Sequence, residues 1–253
     1  MKLKRFLEAM ERIAPRALAL EFDNPGLLVE PDHDEIARVL VALDCSTAVA
    51  KEAAEWGADL VLTHHPLFFH PVSRMAYSDP ETAAACLLIR NGIGLFAAHT
   101  NLDAATGGVN DTLCSLLGIR DAIPFDEGVG RIGALKSDVD IRKFIYDVER
   151  TLETKIRFIG DLGKNISRVA VMGGSGGSSL LPAKELGADL LLTGELKHSD
   201  AIAALAIGLN VIVAGHYETE RVVLPSLIQR LQEAGFPVQY QLSRADVSPF
   251  VRL

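Results

Sequence analysis

RVLVALDCSTAVAKEAAEWGADLVLT, residues 38–63, reads as strand, helix, strand, and it occurs twice. RVAVMGGSGGSSLLPAKELGADLLLT, residues 168–193, superposes on it without a gap, with 11 of the 26 positions identical. In the first copy the apolar run at 38–43 predicts a buried strand. Residues 46–56 predict a helix capped by Ser46 or Thr47 and stopped by Gly57, and 59–63 predict another buried strand. The second copy gives a strand at 168–172, a glycine turn at 173–177, a helix at 179–186 and a strand at 189–193. After each copy come a further helix, a further strand and a His-x-x-x-acid motif. The expected fold class is therefore α/β, with two duplicated β-α-β lobes and mainly parallel sheets. Lobe one is expected over residues 1–120 and lobe two over 166–253. Residues 121–165 are more charged, with a helix at 139–152, and read as a small inserted α+β subdomain.

Composition bounds the function. The chain has 253 residues, 49% of them apolar, enough for a substantial core, and a formal charge of −8. That charge argues against nucleic acid as a partner, because a phosphate backbone calls for a basic face. Cys45, Cys86 and Cys114 are widely spaced without a C-x-x-C, which suits thiols in a reducing compartment. The first fifteen residues predict an amphipathic helix ending near Pro15 rather than a signal peptide. No apolar run approaches the roughly 20 residues needed to cross a bilayer, so a cytoplasmic protein with no membrane segment is expected.

The chemistry-bearing residues gather at the carboxyl ends of predicted strands, where open α/β sheets bind ligands. His64 and His65 follow one strand, His99 and Asp103 the next, Glu195 the corresponding strand of the second copy, and His216 and Glu220 the last. A His and an acid four residues apart on a helix project from one face and can reach one metal ion. With Pro66 holding His65 extended, the adjacent His64 and His65 can diverge toward two neighbouring ions, with Glu220 or Asp103 as a bridging carboxylate. Two lobes that face one another would merge these edges into one cleft. The GGSGG stretch has no following Walker lysine and no clean G-x-G-x-x-G, so it reads as a tight strand-to-helix turn rather than a phosphate cradle. His70, Tyr77 and Arg131 read as ordinary loop and insert residues.

FDNPGL (22–27), THHPLFF (63–69), HTNLDAATGGVND (99–111), VMGGSGG (171–177), TGEL (193–196) and AGHYETE (214–220) together resemble the Nif-three-like or YbgI-like family, whose members are labelled GTP cyclohydrolase 1 type 2 homologs. The resemblance spans nearly the whole chain. It implies a dinuclear metal site of two divalent ions per subunit on His64, His65, Asp103, His216 and Glu220, and a homohexameric ring. The chain departs from the family pattern after TGE, with Ser199 where a His is common and His198 beside it. His99 then stands one turn before a ligand as an orienting group or proton carrier. Glu195 and His198 are candidate general acids or bases, with helix capping and solvated surface as the alternative. Three neutral imidazoles and two carboxylates bring −2 against the +4 of two ions, leaving positive charge for hydroxide and a small anionic substrate. Zinc, iron, manganese, nickel or cobalt suits such ligands. The expected function is a metal-dependent hydrolase acting on a nucleotide-like or phosphorylated compound through metal-activated water. The alternative is a non-enzymatic metal carrier, metal sensor or partner-binding regulator.

Overall fold

Three of the identical positions of the repeat close each strand-helix-strand turn. In the computed structural model, which describes residues 1–251, Asp59 Oδ2 accepts the backbone N–H groups of Ala37 and Arg38 at 2.7 and 2.8 Å. Asp189 Oδ2 accepts those of Ser167 and Arg168, both at 2.8 Å. Arg38 donates to the Trp56 carbonyl and Arg168 to that of Leu186. Gly57 and Gly187 both take a left-handed φ, 70° and 78°, to turn from helix to strand. The duplication is thus a duplication of contacts.

The chain opens with α1 (Leu3–Ile13) and β1 (Gly26–Val29). The first copy is β2 (Arg38–Ala42), α2 (Thr47–Trp56) and β3 (Leu60–Thr63), followed by α3 (Ala83–Arg90), β4 (Gly94–Ala97) and the short α4 (Thr100–Ala104). Next come α5 (Val109–Leu116), β5 (Arg120–Phe125), β6 (Gly130–Asp140), α6 (Ile141–Thr151) and β7 (Arg157–Ile159). The second copy is β8 (Asn165–Ser175), α7 (Leu180–Glu185) and β9 (Leu190–Glu195), continued by α8 (His198–Ile207), β10 (Asn210–Val213) and α9 (His216–Glu220). The last elements are α10 (Val223–Glu233) and β11 (Gln239–Leu242).

Two compact units result, residues 1–105 together with the stretch from Leu224 onward, and residues 106–223. The sequence reading sets boundaries at 120 and 165; the folded chain divides after Ala105 and after Val223, because strand pairing sends each segment to its sheet. The first unit holds a five-stranded sheet ordered β1-β4-β3-β2-β11, parallel throughout except for β1. Its C-terminal strand β11 pairs with β2, Gln239 opposite Arg38. The second unit holds a six-stranded sheet ordered β5-β6-β8-β9-β10-β7. Its centre, β8-β9-β10, is parallel, and residues 121–165 extend it on both edges with antiparallel β6, β5 and β7. Central registers agree between the units: Val39 lies opposite Leu60 as Val169 lies opposite Leu190.

All four residues of β3 are buried, which is why it reads as a continuous apolar run rather than an alternating one. In the first unit Leu40, Val61 and Leu95 of the sheet pack with Val49, Ala53 and Leu88 of α2 and α3. Small residues on these helices let them approach the sheet closely. Two local expectations need correction. Gly173, Gly174 and Ser175 remain in β8 instead of turning, with a bulge between Met172 and Ser175. The helix expected to carry His216 and Glu220 ends at Glu220, and a second helix follows it after a break at 221–222. Pro225 explains the break, since it cannot donate to the Arg221 carbonyl and its ring would clash there. No helix among the described residues is long and apolar enough to cross a membrane.

Candidate metal centre

In the first unit the candidate ligands stand at the ends of neighbouring strands. The backbone N–H groups of His64 and His65 donate to Ala42 and Leu43, continuing the β2–β3 pairing past the strand and holding both residues extended. His64 is buried, 1% exposed, and its Nδ1 lies 2.8 Å from the Ala98 carbonyl. A carbonyl only accepts, so Nδ1 carries a proton and Nε2 is the nitrogen turned toward Asp103. That atom lies 3.6 Å from Asp103 Oδ1, and the two belong to a group of side chains that could hold a metal ion. His65 presents its Nδ1 to Asp44 Oδ1 at 2.8 Å, and His99 its Nδ1 to Asp23 Oδ1 at 2.8 Å. Each of the three rings is thus tied down on one nitrogen. His64, His65 and His99 each offer a ligand atom within 4.8 Å of the others, with ring centroids 5.0–5.5 Å apart.

His99 is not the helical partner of Asp103 that the four-residue spacing implies. It is the residue before α4, with φ −109° and ψ −112°, whereas His216 is the first residue inside α9. The two His-x-x-x-acid motifs therefore sit one residue out of phase on their helices. His216 reaches Glu220 one turn along, while His99 turns to Asp23 and leaves Asp103 to His64. The Asp23 side chain is buried, which alone would raise its pKa. Hydrogen bonds from His99 and from the Thr100 hydroxyl outweigh burial and hold it at about 2.

In the second unit His216 Nε2 lies 3.0 Å from Glu220 Oε2 and its Nδ1 lies 3.4 Å from Glu195 Oε1. Glu220 is buried, 4% exposed. The glycine stretch forms the floor beneath this pair. Gly174 has φ +62°, and a Cβ there would overlap Glu220 Oε1 and stand 3.1 Å from His216 Nε2. Two threonines pin this backbone: Gly174 N–H donates to Thr219 Oγ1 and its carbonyl accepts from Thr193 Oγ1, both at 3.1 Å. Gly173 N–H donates to Asn110 Oδ1. These N–H groups are committed, and the glycines serve close approach to the ligand helix.

A family model described as Duf34/NIF3 (NGG1p interacting factor 3) matches residues 1–249. The chain belongs to the Duf34/NIF3 family. A relative from Clostridium perfringens, named GTP cyclohydrolase 1 type 2 homolog, is 37% identical over 99% of both chains. Among solved structures, reduced HcgD from Methanocaldococcus jannaschii is 32% identical, with a TM-score of 0.85 over 96% of this chain and 97% of that one. Staphylococcus aureus SA1388 is 26% identical, with a TM-score of 0.91 over 100% and 99%.

In this family member Glu195 lies beside His216 at the end of β9. His198 is exposed in the first turn of α8, and among the described residues no hydrogen bond or ion pair joins it to the candidate ligands. Asp44 and Asp23 are the site residues that sequence reasoning missed. Both carried a signal: Asp44 follows β2 as the other candidates follow their strands, and Asp23 lies inside FDNPGL. Asp44 is 56% exposed, so Asp44→Ala should leave the fold intact. Losing an orienting carboxylate behind a histidine ligand weakens metal binding by about 10–100-fold. Competition with a chelator should show that drop, and an unchanged affinity would deny Asp44 this role.

Proposed function

We propose that this Duf34/NIF3 protein is a metal-dependent hydrolase using two divalent ions, with His64, His65, Asp103, His216 and Glu220 as their ligands. The observation that carries the reading is His64, buried and locked through Nδ1 so that its Nε2 faces the Asp103 carboxylate. A buried imidazole nitrogen set against a carboxylate oxygen suits a cation, and His65 and His99, held by carboxylates of their own, present further nitrogen atoms nearby. Imidazole and carboxylate without thiolate fits zinc, iron, manganese, nickel or cobalt.

When bound, such ions supply Lewis acidity and bring the pKa of a coordinated water toward neutrality. Asp44, Asp23 and Glu195 hold the rings of His65, His99 and His216 in place. Glu195, half-exposed beside His216, is suited to hold or pass a proton at its carboxylate. The ligand set, at −2 against +4, leaves charge to hold an anionic substrate group. The names of relatives point toward a nucleotide, and the reading extends to a nucleotide-like or phosphorylated compound. Exposed apolar side chains on α7, at its end and on α8, Leu181, Leu186, Ile202 and Leu205, fit an assembling face, in line with a homohexameric ring. Metal-loaded and chelator-stripped protein should be assayed on nucleotides and phosphate esters. Turnover that appears with metal supports the reading. Readily exchanged metal without turnover would replace it with a carrier or sensor.

A further inference from the structure

Beside the first unit's ligands lies a cavity of about 520 Å³, the size of a small-molecule site. Its walls are residues 21–24 with Leu28 and residues 68–72. Asn24 Nδ2 donates to the Phe68 carbonyl at 2.8 Å and ties one wall to the other. Two wall residues also touch the metal ligands' surroundings. Asp23 holds His99 Nδ1, and the Phe69 ring meets the His99 ring edge-to-face, with centroids 5.6 Å apart.

The lining has an unusual makeup for surface. Phe22 from one wall is 64% exposed and Phe69 from the other is 44% exposed. A single exposed phenyl is ordinary, but two in one cavity offer π-faces and apolar area to a flat guest. Among the described residues no lysine or arginine lines the cavity, so they offer no cation for an anionic group. The Asp23 carboxylate is already engaged by Asn24, His99 and Thr100. Glu21 and His70 remain as polar groups for the edge of a ring.

The geometry points to this cavity as the binding site for the planar heteroaromatic ring of a substrate whose anionic group is held at the ions, an assignment that rests on the metal-centre reading. Ring and anionic group are then divided between two neighbouring surfaces, one apolar and aromatic, the other cationic when loaded. The ring selects the substrate and the ions act on it.

The test is calorimetric titration of the metal-loaded chain with adenosine 5′-monophosphate and with ribose 5-phosphate, which share the phosphate and differ by the ring. Stacking on an aromatic side chain strengthens binding about five- to a hundredfold per base. The nucleotide should therefore bind at least about tenfold tighter. Phe22→Ala and Phe69→Ala should each close most of that gap while ribose 5-phosphate affinity and metal content stay unchanged. Equal affinities in the parent, a gap that survives both variants, or failure of both compounds to bind overturns the assignment. Metal content measured on the same samples separates the two readings. A full complement without ring selectivity defeats the cavity alone, whereas absence of metal defeats the metal centre.

Discussion

Replacing Glu220 with glutamine is expected to strip the protein of metal while leaving its metal-free fold at least as stable as the parent's. Glu220 is 4% exposed, and its carboxylate stands 3.0 Å from His216 Nε2. Loss of an orienting group behind a ligand costs about 10–100-fold in affinity, so loss of a ligand carboxylate should cost more than about a hundredfold. Glutamine keeps the volume and takes the ligand set from −2 to −1. In the absence of metal a buried carboxylate is a burden, because its desolvation has to be offset by its neighbours. Metal-free Glu220→Gln should then melt at or above the parent's temperature. Metal added at about a hundred times its Kd should stabilise the parent by about 2.7 kcal/mol and the variant hardly at all. A metal-free variant that melts far below the parent would make Glu220 a structural residue instead.

Gly174→Ala should destroy the same site from below. Two costs fall together: alanine at φ +62° is strained by about 1–2 kcal/mol, and its Cβ would overlap the Glu220 carboxylate. Glu220 cannot yield easily, since its helix is held through Thr219 to the Gly174 backbone. Gly208→Ala is the control, because Gly208 has φ +65° but nothing within 4 Å of an added Cβ. Both variants should lose stability by chelator-free thermal melting, and only Gly174→Ala should lose metal. Equal metal retention in the two would show that the glycine floor does not shape the site.

The repeat was legible because its identities are contacts. Arg38 and Arg168, Gly57 and Gly187, and Asp59 and Asp189 each close the same turn, and a turn of defined geometry tolerates few residues. The placement of candidate ligands at strand ends followed from the same pattern. What could not be read was register. The spacing of His99 and Asp103 matches that of His216 and Glu220, yet a shift of one residue against the helix start gives His99 to Asp23. No sequence period marks that shift. The end of the chain was misplaced for a related reason, since β11 pairs parallel with β2 across a long separation that local pattern does not reach. The glycine stretch looked like a turn because glycine is common in turns. Its reason here is the approach of Glu220, a contact made by a residue 46 positions away.

The most direct measurement is elemental analysis of untagged protein after gel filtration, expressed per chain. The account predicts about two divalent ions retained per chain, both lost with Glu220→Gln. A value near zero that does not rise after incubation with zinc, iron, manganese, nickel or cobalt would contradict it.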